Sequence, residues 1–360
     1  MPAYTGAGIS RYVTGLLSGL AERHASGITG LLARRDPGDW WQPLAGQGMA
    51  MRRAHTPCHH PLERWTLPLE VLRLRPTLFH AVDHVGPAVR PFPTVVTVHD
   101  LAFWRYPWTH DPGSRRHYAA AALTLPAADA VICVSAFIRD ELLRTLPIDP
   151  RRVHVVHNGL DRRFRPAPDR QRLAARYGLA KPYILALGTI EERKNLVLLL
   201  EAFRQIGNSS VELVLAGNDG WGAGQVWQTV GDIGLEQRVH RLGRVDDPDL
   251  IALYSTAEVL AFPSLYEGFA FPPLEAMACG TPVLALRRGP MPEVCGDGPD
   301  SAAELVEPTA AALALGLRTL LEDQQRRDEL IARGKQRAAL FSWIRCAEET
   351  WAVYQRALQR

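Results

Sequence analysis

Hydrophobic positions along this chain follow two rhythms. Short unbroken apolar runs, rich in β-branched residues, alternate with longer stretches in which apolar side chains recur every three or four positions. The runs read as strands buried on both faces and the longer stretches as amphipathic helices, and their alternation marks parallel α/β units. In the first half, residues 94–98 (TVVTV), 130–134 (AVICV) and 153–156 (VHVV) predict strands, with an alanine-rich helix over 114–125 between the first two. Each strand ends on polar residues, His99-Asp100, Ser135 and His157-Asn158-Gly159, at the edge of the sheet where open α/β domains bind ligands.

Residues 161–169 carry two prolines and read as a linker, after which the pattern restarts. Strands are predicted over 183–187 (YILAL), 211–216 (VELVLA), 259–262 (VLAF) and 282–286 (PVLAL), with a helix over 195–206 after Gly188. The last stretch, 342–359, predicts an amphipathic helix with Trp343, Cys346, Trp351, Tyr354 and Leu358 sharing an apolar face. The economical architecture is two doubly wound, Rossmann-like domains facing a cleft. The first covers 1–165 and the second 175–340, with a closing helix over 341–360.

The amino end departs from this scheme. Gly6-Ala7-Gly8-Ile9-Ser10-Arg11-Tyr12 looks like the glycine-rich first turn of such a domain, and 13–21 like its helix. Five preceding residues are too few for the opening strand. The first strand is therefore expected to be missing, so that either the chain starts late or the sheet has an exposed edge. The turn also fails the GxGxxG pattern, because Arg11 holds the third glycine position.

Composition narrows the class. A chain of 360 residues suits two domains, and 47% hydrophobic with 22% charged residues excludes disordered and fibrous classes. The excess of 41 basic over 38 acidic residues is too small to argue for nucleic acid. No uncharged apolar run reaches the ~18 residues that would span a bilayer, and the opening residues Met1-Pro2-Ala3-Tyr4 are not a signal peptide. Five scattered cysteines without a CxxC fit reduced thiols in a cytoplasmic protein.

The richest chemistry lies between 262 and 282, FPSLYEGFAFPPLEAMACGTP. A strand ends, a glycine loop follows, and Pro272-Pro273 suit the first turn of a helix. Glu275 is expected in that turn, and Glu267 in the loop, where Gly268 lets the backbone approach a ligand. Two carboxylates around a helix start can accept bonds from sugar hydroxyls while the amides face an anion. On spacing alone, a helix-start charge and a solvated loop residue explain the pair equally well. Arg193-Lys194 follow a strand and a glycine turn, directly before a helix.

This segment closely resembles the EX7E motif of glycosyltransferase family 4, retaining enzymes of the GT-B fold. Further pieces fall in that family's order: VVTVHDL at 95–101, DAVICVS at 129–135, VHNGLD at 156–161, GTIEERKN at 188–195, LAGNDGW at 215–221, PEVCGD at 292–297 and FSW at 341–343. The resemblance covers essentially the whole chain. It implies transfer of a sugar from a nucleotide-sugar with its anomeric configuration retained and with no metal or other cofactor. It also implies that the final helix packs back across the first domain.

Residue by residue, the resemblance makes Arg193 and Lys194 the diphosphate-binding pair. That agrees with the need to stabilise a diphosphate leaving group by fixed cations and amides. Gly268, Phe269 and Ala270 complete the cradle, Glu267 touches the transferred sugar, and Glu275 the ribose hydroxyls. His99 lies beside the sugar, Gly8 in the first loop approaches the diphosphate, and Arg11 and Tyr12 reach toward the acceptor. The form of GTIEERKN resembles the bacterial polysaccharide mannosyltransferase branch, so GDP-mannose is the expected donor and a glycan or lipid-linked molecule the acceptor. One departure stands out: Ala270 replaces a glycine of the usual EGFG, at a place where a methyl crowds a phosphate or resists a positive φ.

Other patterns are discounted. Asp247-Pro248-Asp249 matches the DxD string of metal-dependent glycosyltransferases but precedes an apolar helix, so its aspartates read as capping residues. Cys58-His59-His60 with Glu63 lacks zinc spacing. Arg34, Arg35, Arg52, Arg53, Arg64, Arg73, Arg75 and Arg90 make the first domain locally basic. Usually that is a solvated face; its functional reading is a lipid-linked acceptor at the cytoplasmic membrane surface, with Trp40, Trp41 and Trp65 in contact. The rival functions are a GT-B sugar phosphorylase or nucleotide-sugar hydrolase, and a catalytically degenerate binding homologue.

Overall fold

The computed structural model describes residues 8–34, 36, 38–57, 60, 62–109, 112–207 and 210–359. The chain divides into two compact units. The first joins residues 1–161 to 341–360, and the second is 162–340.

The first unit contains two parallel sheets. Strands β1 (Thr29–Leu32) and β2 (Ala50–Arg53) form one. Strands β3 (Phe79–Ala81), β4 (Thr94–Val98), β5 (Ala130–Cys133) and β6 (Val153–Val155) form the other, in that order. Every residue of β4 and β5 is buried, which is why both read from sequence as unbroken apolar runs. Among the described residues no strand precedes the helix Gly8–His24. Residues 114–125 form two short helices, Pro112–Ala119 and Ala121–Thr124, in place of one.

The helix Trp343–Leu358 belongs to this unit. Ser342 caps it, accepting a bond from the Arg345 amide, and Leu160 N–H bonds to Phe341 O at 3.2 Å. Its Cys346, Ala347, Val353 and Ala357 share a core with Tyr12, Leu16 and Leu20 of the helix Gly8–His24. The contact needs small residues. A Cβ on Gly15 would stand 2.0 Å from the Trp343 ring, one on Gly19 2.3 Å from the Trp343 carbonyl, and one on Gly159 2.3 Å from its amide.

The second unit is one six-stranded parallel sheet: β7 (Tyr183–Leu187), β8 (Glu212–Ala216), β9 (Val239–Gly243), β10 (Val259–Phe262), β11 (Val283–Leu286) and β12 (Glu304–Val306). Its order is β12-β11-β10-β7-β8-β9. The chain leaves β7 toward β8 on one side and later returns to β10 on the other. The carboxyl ends of β7 and β10 are thus the switch point, where loops diverge and open α/β sheets bind ligands.

Candidate active site

The loop after β7 is built on close backbone approach. Gly188 has φ +133°, and a Cβ on the neighbouring Gly217 (φ +150°) would lie 1.9 Å from the Gly188 carbonyl oxygen. Ile190 N–H bonds to Asn218 O, and Gly220 N–H to Ile190 O, both at 2.8 Å. The short turn Glu192–Lys194 follows, and Asn195 closes it with φ +54° before the helix Leu196–Ile206. Asparagine tolerates that left-handed conformation better than most residues. The loop after β10 is tied to this turn by Leu265 N–H bonding to Arg193 O at 2.9 Å.

Three predicted residues meet here. Lys194 Nζ donates to Glu267 Oε1 at 2.5 Å, and Arg193 Nη1 donates to Glu267 Oε2 at 3.0 Å and to Tyr266 O at 3.1 Å. Arg193 also pairs with Glu191 at 2.7 Å, a partner that the sequence reading missed although it is two residues away. The Lys194 and Glu267 side chains are each 12% exposed. Burial alone would raise the Glu267 carboxyl, but Lys194 and Arg193 outweigh it and hold it at about 2. Glu267 is therefore ionised, and two cations beside it are aimed by hydrogen bonds. Such a cluster can exchange its internal carboxylate for an external anion.

Gly268, Phe269 and Ala270 follow in a buried loop. Ala270 adopts φ +72°, ψ +85° directly before the helix Phe271–Cys279, the strained conformation that its replacement of glycine foreshadowed. Pro272 and Pro273 contribute no N–H, so two of the amides expected at this helix start do not exist. Any amide cradle rests on the loop.

Glu275 stands in the second turn, not the first, because the helix begins at Phe271. It is 1% exposed and accepts a bond from the Tyr254 hydroxyl at 2.8 Å. The Asp247-Pro248-Asp249 string is structural. Asp246 caps the helix Asp247–Thr256, and the fully buried Asp249 receives Arg172 at 2.5 Å and Tyr177 at 2.6 Å.

His99 belongs to the first unit, at the carboxyl end of β4. Its Nε2 lies 2.8 Å from Val82 O. A carbonyl only accepts, so Nε2 carries the proton and Nδ1 is left as an acceptor. Burial first, then the neighbouring His84, push its pKa down, so His99 is neutral near pH 7. His84 is itself held by Asp83 at 2.6 Å, and burial there is outweighed by Asp83, which pushes the His84 pKa up. Sequence reasoning missed Asp83 and His84 because the strand that delivers them, β3, has only three residues.

Tyr12 is a correction. It is 0% exposed, with its hydroxyl 2.9 Å from Thr97 Oγ1, so it is a core residue and not an acceptor contact. Arg11 is partly exposed on the same helix, and Gly8 is its exposed first residue. Gly6, Ala7, Arg35, Cys58 and His59 lie outside the described residues. Trp40 turns inward to donate to Asp36 at 3.0 Å, whereas Trp65 is 45% exposed.

Comparison with known proteins settles the family. The model for Glycosyltransferase Family 4 matches residues 6–164, and that for Glycosyl transferases group 1 matches 169–337. O-antigen chain mannosyltransferase B of Escherichia coli is 33% identical over 270 residues, 72% of this chain and 70% of that protein. The chain belongs to glycosyltransferase family 4.

This family 4 enzyme is also similar to the MMP alpha-(1->4)-mannosyltransferase of Mycolicibacterium hassiacum, at 31% identity over 75% of this chain and 66% of that one. The alpha-maltose-1-phosphate synthase of Mycolicibacterium smegmatis is 32% identical over 76% and 75%. Its fold is GT-B. HepE of Anabaena, solved with UDP and glucose, superimposes with a TM-score of 0.77 at 19% identity, covering 98% of this chain and 96% of that one. Among the described residues no helix is long and apolar enough to cross a membrane.

Proposed function

We propose that this glycosyltransferase moves mannose from GDP-mannose, with retention and without a metal, to a glycan or lipid-linked acceptor in cell-surface polysaccharide or glycoconjugate synthesis. The observation that carries the reading is the Arg193–Lys194–Glu267 cluster at the switch point of the second unit. The leaving diphosphate takes the two cations from Glu267, which turns its ionised carboxylate to the hydroxyls of the transferred sugar. Arg193 offers a planar fork and Lys194 a point charge, and together they stabilise the charge that grows as the C1–O bond breaks. The acceptor oxygen bonds C1 on the face the diphosphate leaves, and its proton passes to the departing phosphate oxygen. Loop amides at 268–270 add to the cradle, and Glu275 takes the ribose.

Two similar mannosyltransferases support mannose as the sugar. The maltose-1-phosphate synthases, equally similar, make donor choice the point to test. Peripheral membrane contact has its own support. Leu62, Trp65, Leu69 and Leu72, spaced 3-4-3 along one helical face, are 40–57% exposed, with exposed Arg73 and Arg75 close in sequence. That pairing suits an anionic lipid surface.

The deciding assay is transfer in EDTA with GDP-mannose, UDP-glucose, UDP-GlcNAc and ADP-glucose, the anomeric configuration of product read by NMR. Turnover with GDP-mannose that keeps the α-configuration, and falls about 100- to 1,000-fold in Lys194→Met, is the expected result. Turnover with another donor alone overturns the mannose reading, and an inverted product overturns retention. Activity that requires added metal overturns metal independence. Donor binding without transfer identifies a degenerate homologue.

A further inference from the structure

Arg193 is held on two separate edges. Its Nε donates to Glu191 Oε1 at 2.7 Å, and its Nη1 donates to Glu267 Oε2 at 3.0 Å and to Tyr266 O at 3.1 Å. A guanidinium is planar and rigid, with these two donors facing different ways, so one partner can leave without disturbing the other. Both side chains of the first pair are largely buried, Glu191 at 16% exposed and Arg193 at 20%. Two carboxylates thus face two cations, and a diphosphate must enter a cluster that is already balanced.

The two carboxylates stand on different footings. Glu191 is extended (φ −147°, ψ 162°) and is clamped to the loop after β8 by both of its chain neighbours. Ile190 N–H bonds to Asn218 O and Ile190 O accepts from Gly220 N–H, while Glu192 N–H bonds to Trp221 O at 3.3 Å. The Glu191 carbonyl also accepts from the Lys194 amide at 3.0 Å, so its backbone steadies one cation and its side chain the other. The clamp depends on a glycine, because a Cβ on Gly220 would lie 2.6 Å from Thr189 Cγ2 and 3.3 Å from Ile190 O. Glu267 stands in the loop after β10, beside Gly268, and both of its oxygens go to the cations, Oε1 to Lys194 and Oε2 to Arg193.

We propose that Glu191 is the positioning residue of the diphosphate site. It keeps the Nε edge of Arg193 when the diphosphate displaces Glu267 from the Nη1 edge, so the guanidinium meets the leaving group already oriented. This rests on the reading of Arg193 and Lys194 as diphosphate ligands, and adds which carboxylate stays and which yields. A long side chain pinned in the folded protein loses its rotamer freedom on folding and not on binding. Against that gain stands a repulsion, since Glu191 is itself a negative charge close to an anion site. The two effects have opposite signs. If Glu191 acted as a charge alone, its removal would tighten anion binding; as a positioning group, its removal weakens it.

The test is calorimetric titration of the full chain with inorganic pyrophosphate, the part shared by nucleoside-diphosphate donors, and with GDP, UDP and ADP. Glu191→Ala is expected to weaken binding of pyrophosphate, and of the nucleotide that binds best, at least about tenfold. Glu191→Gln, whose amide oxygen still accepts from Nε, is expected to recover most of that loss. In an Arg193→Lys background, which has no Nε edge to hold, Glu191→Ala is expected to leave affinity unchanged or to raise it. Binding by Glu191→Ala as tight as wild type, or tighter, overturns the proposal. So does a Glu191→Gln variant as weak as Glu191→Ala, or an equal loss in both backgrounds, which would mark Glu191 as part of the scaffold only. A wild-type chain that binds neither pyrophosphate nor any of the nucleotides overturns the diphosphate reading and this inference with it, and that failure shows in the wild-type arm before any variant is compared.

Discussion

Replacing Glu267 by glutamine tests the central charge cluster most directly. The side chain keeps its shape but loses its charge, so Lys194 and Arg193 are left beside a neutral amide, with Glu191 still paired to Arg193. The carboxyl is held at about 2 against an ordinary 4.5. At about 1.4 kcal/mol per tenfold change in proton affinity, its ionisation contributes about 3 kcal/mol to the stability of the second unit. A carboxyl depressed in the folded state stabilises fully above pH 4.5, and that contribution fades as pH falls through 2. Urea unfolding between pH 2 and pH 7, followed by amide exchange in β7 and β10, reports the second unit alone. Near pH 7 Glu267→Gln should be about 3 kcal/mol less stable than wild type, and the gap should narrow toward pH 2. Pairing it with Lys194→Met should recover part of the loss, because the uncompensated buried cation is then gone. A variant as stable as wild type at pH 7, or a gap that ignores pH, would refute the claim that these two cations hold the carboxylate.

Ala270→Gly should relieve ~1–2 kcal/mol of left-handed strain against ~0.5–1 kcal/mol of added chain entropy, a small rise in Tm that calorimetry can resolve. Gly217→Ala drives a methyl into the Gly188 carbonyl at 1.9 Å; it should cost at least about 3 kcal/mol and abolish nucleotide-induced thermal stabilisation. Tyr12→Phe removes one buried hydrogen bond, so unfolding should register about 1 kcal/mol while the KM for acceptor stays unchanged. A raised acceptor KM would restore the surface role that burial denies it.

The interior of the two larger sheets was legible because strands buried on two faces leave continuous apolar runs, as TVVTV and YILAL do. Among the outer strands only β6 was. β2 (AMRR) and β9 (VHRLG) are half-exposed and polar, and β1 is interrupted by Gly30. β3 and β12 have three residues each, too few for any period to register. In the site, motif order located Arg193, Lys194 and Glu267, but spacing gave no hint that they bond to one another. That contact joins residues 73 and 74 positions apart and exists only once β7 and β10 pair. Tyr12 was misjudged for a related reason. A tyrosine just after a glycine turn looks available to a ligand until the helix is packed and its ring faces His99 at 4.7 Å.

Trp343, wedged among Gly15, Gly19 and Gly159, makes the order of synthesis matter. The first unit draws its core from both ends of the polypeptide, with about 180 residues of the second unit between them. At ~5–20 residues per second, the ribosome needs ~10–40 s after Asp161 before the last helix exists. Throughout that interval the nascent first unit has a glycine-lined groove where Trp343 will sit and an uncovered apolar face along the helix Gly8–His24. The inserted unit, contiguous in sequence, can finish folding first, and the enclosing one closes last around the closing helix. A chaperone that shields apolar surface on nascent chains would therefore act on the amino-terminal unit, and a premature stop beyond Leu340 would release a chain with one sound unit and one left open.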